Sequence, residues 1–289
     1  MIQFERITGC ALVAIVAIAA ALTMPPLHAA VVDYQRTVVV SPIGPTETDN
    51  GAELLTALSS ISTAIPAPSA TNPWLLKVEP GVYDVGSAPV LLPSHVDMEG
   101  SGQGVTLVRG SVIDALPAQH GVITVAGHSE VRQLSVENTV DGATFDSAAL
   151  LLLGGARASE VTAIATGSSV INRALAVVDL GIAPVASVSD VTATAATRAV
   201  QVFAPGLDAE NLVAEGTEGL FVSSGEVLVR NSRFSGSDVG LSVANLSPTV
   251  DLVSTQVLGS ISCTSGNCRC FASYDEELRG LKKDCDAKK

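Results

Sequence analysis

Aromatic residues make up only 3% of this chain, with Trp74 the single Trp and Tyr34, Tyr83 and Tyr274 the only Tyr. Sugar-binding clefts usually offer flat aromatic faces, so this scarcity counts against a carbohydrate cleft. Positive charge is also short, with 16 Lys+Arg against 29 Asp+Glu and a net charge of −13. That balance argues against nucleic acid, anionic lipid surfaces and polyanionic substrates as partners. Cysteine is missing between Cys10 and Cys263. From residue 74 to about 262 no helical period of ordinary length appears, and no Gly-rich phosphate loop joins a strand to a helix.

The first 30 residues read as an export signal. Arg6 supplies the positive start, Cys10 to Leu22 is unbroken and apolar, and Pro25-Pro26 ends the run before a small-residue cleavage point near Ala29. The run is short for a membrane span, which needs roughly 20 residues. Ile7-Thr8-Gly9-Cys10 resembles a lipoprotein box but precedes the apolar run, where such a box must follow it. Losing the leader removes Glu5 and Arg6 together and leaves the net charge unchanged. The expected product is secreted or periplasmic and free of the membrane. Four cysteines then remain, Cys263, Cys268, Cys270 and Cys285. A zinc site is conceivable, but an even cluster in an exported chain points to two disulfides. Two pairings stay open: Cys263–Cys268 with Cys270–Cys285, or Cys263–Cys270 with Cys268–Cys285.

What the chain has in quantity is a repeated phrase. Val131-Arg132-Gln133-Leu134-Ser135-Val136 is echoed by six-residue copies that start at Ala158, Val188, Ala209, Val229 and Leu252. Each reads apolar or small, any, polar, small or aliphatic, any, apolar. A period of roughly 20–30 residues with strand chemistry inside it marks a solenoid. A second apolar strand precedes most copies, as in Leu150 to Leu153, Leu175 to Val178 and Ala199 to Phe203. These should stack into one sheet, and the strands on either side of the polar third position into two others.

The chain divides into four segments. Residues 1–30 are the leader. Residues 31–73 hold a lead-in strand at Thr37 to Val40, an amphipathic helix from Asp49 to Ile61 and a loop. The helix places Leu54, Leu55, Leu58 and Ile61 on one face, with Asn50 and Glu53 at capping-box spacing. It is expected to cover the open end of the first rung. Residues 74–262 form the coil. Residues 263–289 form a Cys-rich C-terminal cap with a short helix, started by Ser273 and Glu276, that turns Leu278 and Leu281 inward.

The Asp49-Asn50-Gly51 opening, the run Leu76 to Val85 (Leu-Lys-Val-Glu-Pro-Gly-Val-Tyr-Asp-Val) and the run Val96 to Gly102 (Val-Asp-Met-Glu-Gly-Ser-Gly) resemble the N-terminal part of the pectate-lyase-like superfamily. The resemblance covers residues 49 to about 260. It implies an all-β fold, a single-stranded right-handed parallel β-helix, here with an N-terminal cap helix and a disulfide-bonded C-terminal cap. Such motifs identify fold better than activity.

The polar third positions are Gln133, Glu160, Asp190, Asn211, Asn231 and Ser254. Stacked rungs lie about 4.8 Å apart, so the plain reading is a structural ladder at a bend, formed by Gln133, Asn211, Asn231 and Ser254. Glu160 and Asp190 interrupt it as two carboxylates on successive rungs. The cofactor they suggest is Ca²⁺, and no other cofactor motif is present. Among catalytic patterns implied by the resemblance, Asn138-Thr139-Val140-Asp141 misses Asn-Thr-Asp by one residue and Gly127-His128-Ser129 misses Gly-His-Gly. No Asp-Asp or Arg-Ile-Lys occurs, and no pectin-esterase pattern of Gln and Asp on neighbouring strands is visible. The outward positions beside the phrase, Ser135, Thr162, Thr192, Val213, Arg233 and Gln256, hold no carboxylate. His95, His120 and His128 fall at turns. The function expected on these grounds is a non-catalytic exported module, structural or binding, with a glycan or envelope component as partner. Its rival is a polysaccharide lyase or glycoside hydrolase acting on a weakly charged glycan.

Overall fold

The computed structural model describes Tyr34 and residues 36–113, 119–141, 146–178, 184–203, 206–244, 248–263 and 268–285. The expected export signal lies outside these residues. No helix among them is long and apolar enough to cross a membrane.

The repeated phrase sets the register of the whole coil. Val131 stands against Ala158, Ala158 against Val188, and the column continues through Ala209, Val229 and Leu252. It also extends beyond the copies found in the sequence. Met98, Leu76 and Val38 precede it, and Cys270 follows it. The strands in this first sheet are β1 (Arg36–Val40), β2 (Trp74–Val78), β5 (Val96–Glu99), β8 (Glu130–Asn138), β10 (Arg157–Ala165), β12 (Ala186–Ala195), β14 (Gly206–Glu210), β16 (Glu226–Arg230), β18 (Thr249–Val253) and β20 (Cys268–Phe271), all paired in parallel. The lead-in is therefore the first rung and not a separate region.

The second sheet begins with β3 (Gly81–Asp84) and β6 (Thr106–Gly110). It continues through the C-terminal halves of β8, β10 and β12. It then passes to the N-terminal halves of β15 (Val213–Val222), β17 (Arg233–Val243) and β19 (Gln256–Cys263). The third contains β4 (Val90–Leu92), β7 (Ile123–Val125), β9 (Asp146–Leu153), β11 (Ile171–Val178) and β13 (Arg198–Val202), followed by the C-terminal halves of β15, β17 and β19. Inward columns such as Leu150, Leu175, Val200 and Leu220 fill one continuous core. Each fully buried Leu or Val contributes roughly 1.5–3 kcal/mol.

The polar third position is the corner between the first two sheets. Gln133, Glu160, Asp190, Asn211, Asn231 and Ser254 all have φ between 50° and 55°, the left-handed region. That conformation turns the chain in one residue, and Asn and Asp tolerate it better than most side chains. Ala272 continues the column at φ 49° without any polar side chain. On an earlier rung Gly100 lies beside it. A Cβ there would meet the Gln133 carbonyl oxygen at 2.3 Å, so only glycine fits.

The cap helix α1 runs from Glu47 to Ser62. It begins earlier than its apolar face suggests, because Thr46 and Asp49 form the capping box in place of Asn50 and Glu53. Asn50 is instead buried, accepting from the Gly44 amide and donating to the Val82 carbonyl. Leu54, Leu58 and Ile61 are buried against the core, and Leu55 packs at its edge.

The C-terminal cap differs more from expectation. The disulfides are Cys263–Cys268 and Cys270–Cys285. No helix forms among the described residues of the tail. Asp275 takes the backbone amides of Glu277 and Arg279 onto its own side chain, which competes with helical hydrogen bonding. Ser273 donates to the Leu252 and Phe271 carbonyls and so caps nothing. Leu281 is buried as expected, whereas Leu278 is 69% exposed.

Candidate functional site

The corner ladder is joined by side-chain hydrogen bonds only in part. Gln133 donates to Glu160 at 3.2 Å, and Asn211 donates to Asp190 at 2.9 Å. Backbone amides of Asn211, Asn231 and Ser254 donate along the axis to carbonyls of the next rung. Glu160 is thus engaged by an amide from the rung before it and Asp190 by one from the rung after it, and both are exposed. Among the described residues no group of three His, Cys, Asp or Glu side chains gathers. Two carboxylates supply few of the six to eight oxygens that Ca²⁺ takes, so this donor set does not fit a calcium ion. His95 and His128 also sit in left-handed turns, with their rings stacked at 5.3 Å.

Charged side chains collect in two other places on the outer wall. The first surrounds Arg132 on the first sheet. Its guanidinium donates to Glu99 through Nε at 3.0 Å and Nη2 at 2.8 Å, and to the Tyr34 hydroxyl at 3.0 Å. Its Nη1 lies 3.7 Å from Asp97 and 3.5 Å from Glu130. Tyr34 in turn donates to Asp97 at 2.6 Å. Burial and the Asp97 carboxylate push the Tyr34 phenol up to about 12. Burial alone would raise the Glu99 carboxyl, but Arg132 and Lys77 overcome it and hold Glu99 below the usual range. Burial opposes the charge on Arg132, but Tyr34, Glu99 and Glu130 overcome it and raise the guanidinium above its usual range. Every nitrogen is engaged, and the segment at Tyr34 is fastened across three rungs.

The second place is the outer face of the third sheet. Ala148, Arg173, Arg198 and Glu218 form one column, and Leu151, Ala176, Gln201 and Phe221 form the next. Arg173 is 1% exposed. Its Nη2 lies 2.5 Å from Asp146, and its Nε donates to the Gln201 side-chain carbonyl at 2.5 Å. Gln201 also accepts from Arg198 at 3.3 Å, and Arg198 pairs with Glu218. Two of the few aromatic rings are here, Phe203 beside Arg173 at 5.5 Å and Phe221 under Arg198 at 4.0 Å. Desolvated cation–π contacts of this kind contribute about 2 kcal/mol. A buried polar strip supports the column from one side. Ser147 donates to the Asn172 carbonyl oxygen at 2.6 Å, and the Asn172 amide donates to Gly167 at 2.7 Å.

One atom here has no partner. Nη1 of Arg173 is buried and makes no hydrogen bond. An unpaired donor on a buried cation carries a large desolvation penalty. On the same face a concavity of about 270 Å³ is lined by Ile171, Thr197, Arg198, Glu218, Asp238 and Val239, with Arg198 linking it to Gln201 and so to Arg173. An acceptor oxygen placed against Arg173 would relieve that penalty.

No family model matches the chain, and no curated protein sequence does. Solved structures do match. Pectin methylesterase PemA from Erwinia chrysanthemi aligns with a TM-score of 0.54 over 90% of this chain and 94% of its own, at 10% identity. A pectin methylesterase in complex with hexasaccharide VII gives 0.53, with 90% and 94% covered at 12% identity. Escherichia coli YbhC gives 0.53, with 90% and 82% covered at 12% identity. The fold shared with these structures is the right-handed parallel β-helix. At these identities the likeness concerns the fold alone.

None of the β-helix residues around Arg173 was among the sequence-derived candidates. Asp146 and Gln201 lie two rungs apart and are bridged by Arg173 on the rung between them. The available signal was offset. Arg173, Arg198 and Glu218 each stand two residues before the aligned apolar positions Leu175, Val200 and Leu220. Gln201 alone interrupts the apolar run from Ala199 to Phe203.

Proposed function

We propose that this chain is an exported carbohydrate-active β-helix that hydrolyses carboxylic esters on a glycan, with its site on the outer face of the third sheet around Arg173. The observation that carries the reading is the buried Arg173 with its unpartnered Nη1 between the Asp146 carboxylate and the Gln201 amide. Asp146 acts as the nucleophile. It attacks the ester carbonyl carbon, and the developing oxyanion is held by Arg173. Collapse expels the alcohol, which takes its proton from water. The hydroxide so formed opens the resulting anhydride, leaving a glycan carboxylate, freeing Asp146 and releasing one proton. Glu218, linked to Gln201 through Arg198, is the further titratable group of this network and moves the protons.

The likeness to pectin methylesterases supports an esterified uronic-acid polymer as the substrate class. Such a polymer is close to neutral, so its approach meets no repulsion from a protein of net charge −13. Two disulfides fit an oxidising compartment outside the cytoplasm. The test is methanol release from highly methyl-esterified polygalacturonan. Wild type should release methanol, and Asp146→Asn should lower the rate at least 100-fold while keeping its melting temperature within a few degrees. No release by the wild type, or an unchanged rate in Asp146→Asn, contradicts the reading.

A further inference from the structure

A separate depression of about 430 Å³ follows the corner between the first and second sheets, far along the coil from Gln133. Two parallel columns build it. Asn211, Asn231 and Ser254 form the corner itself. Val213, Arg233 and Gln256 follow on successive rungs of the second sheet, with Tyr274 bridged to Gln256. Rungs recur at about 4.8 Å, comparable to the rise of one sugar unit in an extended pyranose chain. Each rung therefore offers polar groups to one sugar in turn.

The charge here is uncompensated. The sequence has 29 acidic residues, and the described arginines are ion-paired except Arg36 and Arg233. Arg36 covers Trp74 instead. Arg233 is exposed within this depression with no carboxylate at ion-pair distance. At one end Tyr274 is 42% exposed and Leu278 is 69% exposed, giving flat apolar surface. At the other end the Asn211 amide is already taken by Asp190.

We infer that this groove binds an acidic oligosaccharide, independently of the ester chemistry. A uronate carboxylate takes the planar fork of Arg233. A neighbouring sugar ring lies on Tyr274, and hydroxyls are held by Asn231, Ser254 and Gln256. The site would keep the protein on a polymer whose esters have been removed.

The experiment is calorimetric titration of the mature protein with de-esterified hexagalacturonate, with neutral cellohexaose as the comparison. Wild type is expected to bind the acidic probe at least tenfold more tightly than the neutral one. Arg233→Gln should lose at least tenfold and Tyr274→Ala a smaller factor, both with unchanged methanol release and unchanged melting temperature. Asp146→Asn should bind as wild type does, which separates this site from the one around Arg173. Absence of binding, equal binding of the neutral probe, or an Arg233→Gln variant that binds normally would overturn the inference.

Discussion

Arg132 and Arg173 are both guanidiniums on the outer wall of one coil, yet their surroundings differ in kind. Arg132 keeps 21% of its side chain exposed and engages every nitrogen with Glu99, Tyr34, Asp97 or Glu130. Arg173 is almost wholly buried and leaves Nη1 without a partner. The first arrangement is complete, and a ligand there would have to break good bonds to enter. In the second, the arrangement becomes complete only when something else supplies an oxygen. Structural and receptive arginines are thus separated by satisfaction and not by charge or exposure.

The contrast can be broken at several points. Arg132→Gln should produce the largest stability loss, about 3 kcal/mol in urea denaturation, because charge-assisted hydrogen bonds to Glu99 and Tyr34 go together. Its ester turnover per folded molecule should stay at the wild-type level. Arg173→Lys keeps the charge but loses the planar fork. Turnover should fall ~30-fold, equivalent to about 2 kcal/mol of transition-state stabilisation, with a melting temperature close to wild type. A loss of stability instead of turnover would place Arg173 with Arg132.

Tyr34→Phe is smaller still, about 1.5 kcal/mol, and has a pH signature. The fold raises the phenol from its ordinary 10.0 to about 12. Its contribution is therefore fully present below pH 10 and is lost as pH rises toward 12. Wild-type stability should drop across that window, and Tyr34→Phe should flatten part of the drop, Tyr83 supplying the rest because burial raises it likewise to about 12. Glu99 works in the opposite direction. Its lowered carboxyl stabilises the fold above pH 4.5, and that contribution disappears as the solution is acidified further. The smallest effect belongs to the corner, where Asn231→Ala should cost below about 1 kcal/mol in the same denaturation assay and Asn231→Gly nothing measurable.

The coil was legible because periodicity repeats. Six copies of one phrase revealed the rung register, the bend at the polar position and the three sheets, since each rung must stack its apolar positions on the last. The corner residues Gln133, Asn211, Asn231 and Ser254 were likewise readable from their shared place in the phrase. Single events were not. The early start of α1 at Thr46 depended on local capping chemistry, and Asp275 removed a helix from the tail with one side chain. The Arg173 network depended on which faces turn outward along β9 and β11, where buried residues run on without alternation. Residues on that face come from separate rungs, so Asp146 and Gln201 are 55 positions apart in the chain and share no local motif.

The central claim is that the outer face around Arg173 is a reactive site and that the network around Arg132 is not. The most direct measurement is initial-rate methanol release from methyl-esterified polygalacturonan by Asp146→Asn and Arg132→Gln, normalised to folded protein. The account predicts a loss of at least 100-fold in Asp146→Asn and wild-type turnover in Arg132→Gln. Equal rates in the two variants, or turnover lost only in Arg132→Gln, would contradict it.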